Sequence, residues 1–84
     1  SLDIPPYVIA GKEPTRYCGL NIVGLRRRGF SKETIDNIHE AYRLLYSKGL
    51  MKEGIEEIRK TLPTSPEIEY IIKFVENSQR GIIR

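Results

Sequence analysis

The 84-residue sequence has no tryptophan, one cysteine, one methionine and one histidine, and each scarcity excludes a class of chemistry. The single cysteine, Cys18, cannot close an internal disulfide. That removes the disulfide-stapled secreted scaffolds and fits a reducing cytoplasm. One histidine, His39, together with one cysteine makes no metal site of ordinary ligand number. Cys18 also has no histidine near it in sequence to activate it as a nucleophile. No apolar run approaches the ~20 residues that a bilayer-spanning helix needs, and no basic start followed by an apolar stretch marks a signal peptide. The acidic residues fall on the solvated faces of the expected helices, and a chain this short hardly supplies the cleft in which paired carboxylates work. Composition and spacing thus predict no catalytic residue, no metal site and no cofactor.

What the chain does have is an uneven charge. Of its 14 lysines and arginines, six (Lys12, Arg16, Arg26, Arg27, Arg28 and Lys32) stand in the first 32 residues, against only Asp3 and Glu13. The remainder is nearly balanced. A positive field concentrated in one third of a small domain points to an anionic partner on that side.

Local pattern predicts an all-α fold, a small helical bundle preceded by an extended segment. Pro5 and Pro6 hold the start extended. Tyr7-Val8-Ile9-Ala10 has strand propensity, ended by Gly11, and residues 11–18 read as a loop. Asn21 is a plausible N-cap for a short helix over residues 22–28, stopped by Gly29 in the left-handed conformation. Ser31 caps a second helix whose apolar positions are Ile35, Ile38, Ala41, Tyr42 and Leu45, with Lys48 in its last turn and Gly49 as its stop. A third helix spans about residues 52–62, with Ile55, Ile58 and Leu62 on one face, a Glu56–Lys60 pair on the other, and Pro63 as terminator. Ser65-Pro66-Glu67 opens a fourth helix with the stripe Ile68, Ile71, Ile72 and Val75. Tyr42, Tyr46 and Phe74 fall at core spacing. The tail Gly81-Ile82-Ile83-Arg84 is too apolar for a solvated end and is expected to dock back or to meet a partner.

The distinctive element is Gly19-Leu-Asn-Ile-Val-Gly-Leu-Arg-Arg-Arg-Gly-Phe30. Guanidinium forks match phosphate oxygens bidentately and stay charged at any working pH, and Asn21 adds a donor and an acceptor nearby. From the residues alone, a solvated charge cluster is as good a reading as a site. If it is a site, nucleic acid, a nucleotide diphosphate, an acidic protein and a membrane surface all compete. Nucleic acid would favour interleaved aromatics or a polar recognition helix, whereas the flanking Leu25 and Phe30 look like core.

Four blocks in order, Asp-Ile-Pro-Pro-Tyr-Val-Ile-Ala from Asp3, Gly-Leu-Asn-Ile-Val-Gly-Leu-Arg-Arg-Arg-Gly-Phe-Ser from Gly19, Ala-Tyr-Arg-Leu-Leu-Tyr from Ala41 and Arg-Gly-Ile-Ile-Arg from Arg80, resemble the C-terminal part of the UDP-N-acetylglucosamine O-acyltransferases. The resemblance implies the first enzyme of lipid A biosynthesis, a cytoplasmic homotrimer. That enzyme moves a 3-hydroxyacyl group from acyl carrier protein to the 3-hydroxyl of UDP-N-acetylglucosamine. It implies a left-handed β-helix carrying the histidine base, absent from this chain, followed by a helical domain. On that pattern residues 1–18 are the extended segment and loop leaving the β-helix, and residues 19–84 are the helical domain. Asn21, Arg27 and Arg28 match the family's nucleotide contacts, Arg27 best, and Arg26 is a bystander. Where many members carry a glutamate, this chain has Val23. His39 does not match the catalytic histidine, so the separate chain is expected to be inactive. The runner-up is a free-standing basic helical module that binds nucleic acid or an acidic protein.

Overall fold

Residues 2–11 and 15–84 are described by a computed structural model. A short antiparallel hairpin, β1 (Val8–Gly11) and β2 (Arg16–Leu20), leads into four helices: α1 (Ile22–Arg27), α2 (Lys32–Tyr46), α3 (Met51–Thr61) and α4 (Pro66–Asn77). The four predicted helices are therefore present. The expected loop over residues 11–18 is corrected from Arg16 onward, where β2 stands; Lys12, Glu13 and Pro14 lie outside the described residues. The strand forms because β1 supplies its partners, with Val8 opposite Leu20, Ala10 opposite Tyr17 and Gly11 opposite Arg16. Leu20 is buried and Tyr17 packs against the core.

Each helix boundary has a local cause. Ser31 Oγ accepts from the Thr34 N–H at 3.1 Å and Ser65 Oγ from the Ile68 N–H at 3.2 Å, which satisfies donors that have no partner inside the helix. Pro66 occupies the first turn of α4, where its missing N–H costs nothing. The end of α2 differs from expectation. The helix stops at Tyr46, Ser47 Oγ donates to the Leu44 carbonyl at 2.7 Å, and Arg43 is the basic residue of the last turn. Lys48 and Gly49 thus lie beyond the helix. On α3, Lys60 approaches Glu57 at 4.0 Å, rather than the expected Glu56.

The core joins the inner faces of α2, α3 and α4. Ile38, Ala41, Tyr42, Leu45, Ile71 and Ile72 are fully buried there, and each large member contributes about 1.5–3 kcal/mol of burial free energy. The tail does dock: Ile82 and Ile83 are buried, and the Tyr46 hydroxyl donates to the Ile83 carbonyl at 2.7 Å. The Arg84 guanidinium donates to the carbonyls of Tyr46 and Lys48 just past α2, groups a helix end leaves without partners.

The two ends of the chain are tied together. Residues Asp3 and Ile82 form a parallel bridge, and the Asp3 carboxylate accepts from the Ser78 hydroxyl at 2.7 Å and from Arg80 at 2.8 Å. The Ser78 hydrogen bond above all, aided by Arg80, holds the Asp3 carboxyl below its ordinary pKa. A carboxyl depressed in the folded state stabilises at neutral pH and loses that contribution as pH falls through its folded value. Asp3→Asn is therefore expected to lower the melting temperature at pH 7, with the gap from wild type narrowing as pH falls below the ordinary carboxylate range. A gap that stays constant with pH would show that the carboxylate charge does not hold the ends together.

Candidate functional site

The arginine cluster sits on α1, which is too short to be stable alone. Three contacts fix it. Leu25 is 2% exposed and anchors the helix in the core. At the start, the Asn21 side-chain oxygen accepts from the Gly24 N–H at 3.2 Å. At the end, the Gly29 N–H donates to the Arg26 carbonyl and the Phe30 N–H to the Leu25 carbonyl, at 3.0 and 3.1 Å. This pair of bonds is a Schellman cap, and it requires the left-handed backbone of Gly29 (φ +85°). The expected glycine stop is thus present, with Phe30 packed against the core behind it.

The extended start of the chain also holds α1. Tyr7 has φ +72°, a conformation that costs a bulky residue energy. Its carbonyl accepts from the Asn21 N–H at 2.9 Å, and the preceding carbonyl, of Pro6, accepts from the Tyr42 hydroxyl at 2.6 Å. The Tyr7 ring meets Phe30 and Tyr70 edge-on, at 5.8 and 6.0 Å between centroids. Burial raises the Tyr7 and Tyr42 hydroxyl pKa values, so both phenols stay neutral hydrogen-bond donors at working pH.

With Leu25 turned inward, a rotation of about 100° per residue spreads the three arginines around the helix. All three are exposed, and none forms an ion pair among the described residues. Arg27 lies one turn after Val23, on the outward face. Arg28 has its guanidinium carbon 5.1 Å from the centre of the Phe30 ring, a cation–π contact that orders it without removing its donors. Asn21 at the start of α1 and Arg27 and Arg28 at its end are all exposed. The Asn21 oxygen serves as the cap, and its amide NH2 remains as a donor. Sequence pattern pointed to all three, but not to Tyr7 or Phe30, whose support depends on chain segments that meet only in the fold.

Two grooves among the described residues lie elsewhere, one between α3 and α4 floored by Met51, Ile55 and Val75, the other beside Tyr17, Tyr42 and Tyr46. His39 is exposed on α2 at the rim of the second. Cys18 is exposed on β2. Among the described residues no three histidine, cysteine or acidic side chains gather as metal ligands, and no helix is long and apolar enough to cross a membrane.

Residues 3–83 match the family profile described as Udp N-acetylglucosamine O-acyltransferase, domain 2. The chain belongs to this acyltransferase family. The enzyme named acyl-[acyl-carrier-protein]--UDP-N-acetylglucosamine O-acyltransferase from Fusobacterium nucleatum is 45% identical over all of this chain and 33% of its own length. The crystal structure of the UDP-N-acetylglucosamine acyltransferase of Bacteroides fragilis superposes with TM-score 0.93 at 59% identity, again over all of this chain and 33% of that one. Its Acinetobacter baumannii counterpart superposes at 0.89 and 42%, with the same coverage. The chain thus spans about a third of its acyltransferase relatives, and corresponds to their C-terminal part.

Proposed function

We propose that this chain is the UDP-contacting helical domain of a UDP-N-acetylglucosamine 3-O-acyltransferase acting in the first step of lipid A biosynthesis. The observation that carries the reading is the outward Arg27, a guanidinium with no ion-pair partner among the described residues, on a helix fixed at both ends, in a chain of this family. Arg27 and Arg28 donate charge-assisted hydrogen bonds to the diphosphate, and the Asn21 amide donates to an adjoining acceptor of the nucleotide. The acyl donor is a 3-hydroxyacyl group on acyl carrier protein, and the working enzyme is a cytoplasmic homotrimer. Among the described residues no histidine base stands on α1, and acyl transfer needs a base and a positioned donor as well as a bound acceptor. The base belongs to a preceding β-helix, so the 84-residue chain alone binds weakly and transfers nothing.

The competing reading, a free-standing basic module for nucleic acid, is separated by one titration. The chain is mixed with duplex DNA and with UDP-N-acetylglucosamine at two salt concentrations, and acyl transfer is assayed with acyl carrier protein present. Chemical-shift changes confined to α1 with the nucleotide sugar, and no transfer, are expected. Steep, salt-dependent DNA binding with no response to the nucleotide sugar would favour the module.

A further inference from the structure

Tyr42 is 0% exposed and so cannot itself touch a ligand, yet its hydroxyl bonds at a place that governs α1. It donates to the Pro6 carbonyl at 2.6 Å. The chain turns at Pro6 and Tyr7, and Tyr7 stands at φ +72°. Proline at the first central position and a positive φ at the second mark a type II turn, where glycine or asparagine ordinarily fills the second place. Flipping the central peptide gives a type I turn, which tyrosine adopts without strain. That central peptide carries the Pro6 carbonyl. The Tyr42 hydroxyl therefore holds the one group that must swing if the turn is to relax. The ring behind it is itself fixed, stacked at 5.7 Å on Tyr17 and 5.9 Å on Tyr46, and burial keeps the phenol a neutral donor.

Both ends of α1 rest on that turn. At the start, the Tyr7 carbonyl accepts from the Asn21 N–H at 2.9 Å. Just past the end, the Tyr7 ring meets Phe30 edge-on at 5.8 Å, and the Arg28 guanidinium lies over the same Phe30 ring. A helix this short takes its place from such outside contacts. We propose that Tyr42 is a positioning residue for the nucleotide-sugar contact: by clamping the Pro6–Tyr7 peptide it fixes the turn that places Asn21, Arg27 and Arg28. The inference rests on the reading of α1 as a UDP contact. Tyr46 supplies the control. Its hydroxyl makes a matching bond, to the Ile83 carbonyl at 2.7 Å, but that bond holds the C-terminal tail and not the turn.

The test uses the intact acyltransferase carrying this domain, as wild type, Tyr42→Phe, Tyr46→Phe, Tyr7→Gly and the double variant Tyr7→Gly with Tyr42→Phe. Phenylalanine keeps the ring packing and removes only the donor. Tyr42→Phe is expected to raise the Michaelis constant for UDP-N-acetylglucosamine roughly three- to tenfold, the scale of one hydrogen bond, with kcat within about twofold of wild type. Tyr46→Phe is expected to leave that constant within about twofold. Glycine holds a positive φ without strain, so in the Tyr7→Gly background Tyr42→Phe should add less than about a further twofold. Three results would overturn the role of Tyr42: an unchanged Michaelis constant in Tyr42→Phe, equal effects of Tyr42→Phe and Tyr46→Phe, or the same factor from Tyr42→Phe in both backgrounds. Arg27→Ala, measured beside them, separates the two claims. If it leaves the Michaelis constant unchanged, the UDP reading itself fails. If it raises that constant while Tyr42→Phe does not, only the inference about Tyr42 falls.

Discussion

Gly54→Ala is expected to lower the melting temperature by roughly 10–20 °C. Gly54 is buried on α3, facing α2. A Cβ added there would stand 2.5 Å from the Leu45 carbonyl oxygen and 2.8 Å from the Leu45 Cα. These are backbone atoms in the last turn of α2, so no side-chain rotation relieves the contact and the two helices must separate. Separation loosens the packing around Leu45, which is fully buried. Overpacking usually costs about 1–3 kcal/mol, and a rigid backbone obstacle this close puts the cost at or just above the top of that range, about 3–4 kcal/mol. Alanine returns up to about 1 kcal/mol in helix propensity, which leaves a net loss of about 2–3 kcal/mol. A domain of this size has little stability to spare, and each kcal/mol shifts its melting point by about 4–8 °C. Thermal melts followed by circular dichroism check this. A variant that melts within about 2 °C of wild type would mean that α2 and α3 do not approach so closely.

Gly54 also shows what the sequence hides. Within α3 it reads as a helix-weakening residue among Lys, Glu and Ile, and nothing local says that a neighbouring backbone passes beside it. The helices themselves were legible because their signals are local: Ser31 and Ser65 as caps, Pro63 and Pro66 as punctuation, and isoleucines at three- and four-residue spacing. The C-terminal tail was legible because two adjacent isoleucines seldom stay in water. The strand Arg16–Leu20 was not legible. Its inward residues, Tyr17 and Leu20, do not alternate cleanly, and Gly19 at φ +96° interrupts the pattern. Its existence depends on pairing with Val8–Gly11, a contact between segments. The end of α2 was misplaced for a related reason. Gly49 has the residue type of a helix stop, but the Ser47 hydroxyl closes the last turn first, and Arg84 from the far end of the chain caps the carbonyls beyond. At the candidate site, the residue types Asn21, Arg27 and Arg28 were visible. The use of Asn21 as an N-cap was also visible, and the observed bond to Gly24 bears it out.

In the intact acyltransferase carrying this domain, Arg27→Ala is expected to raise the Michaelis constant for UDP-N-acetylglucosamine roughly 10- to 100-fold, with kcat changed less than about threefold. A hydrogen bond to a charged group contributes about 1.5–3 kcal/mol, and tenfold in affinity corresponds to about 1.4 kcal/mol. The loss falls on the Michaelis constant because a diphosphate is distant from the sugar hydroxyl that reacts, so its binding is the same in the ground and transition states. Arg27→Lys keeps the charge but not the fork and should lie between. Arg28→Ala should cost less, about three- to tenfold, since its guanidinium already lies over the Phe30 ring. Arg26→Ala should stay near wild type if Arg26 is the bystander that the family pattern implies. None of the three should shift the melting temperature by more than about 2 °C, because all are exposed and their changes remove no core contact. Equal effects at Arg26 and Arg27 would indicate a diffuse electrostatic field instead of a shaped site. A second discriminator is salt. A field effect fades steeply as ionic strength rises, whereas a direct guanidinium–phosphate contact loses less over the same range, so the ratio between wild type and Arg27→Ala should persist at high salt if Arg27 touches the diphosphate.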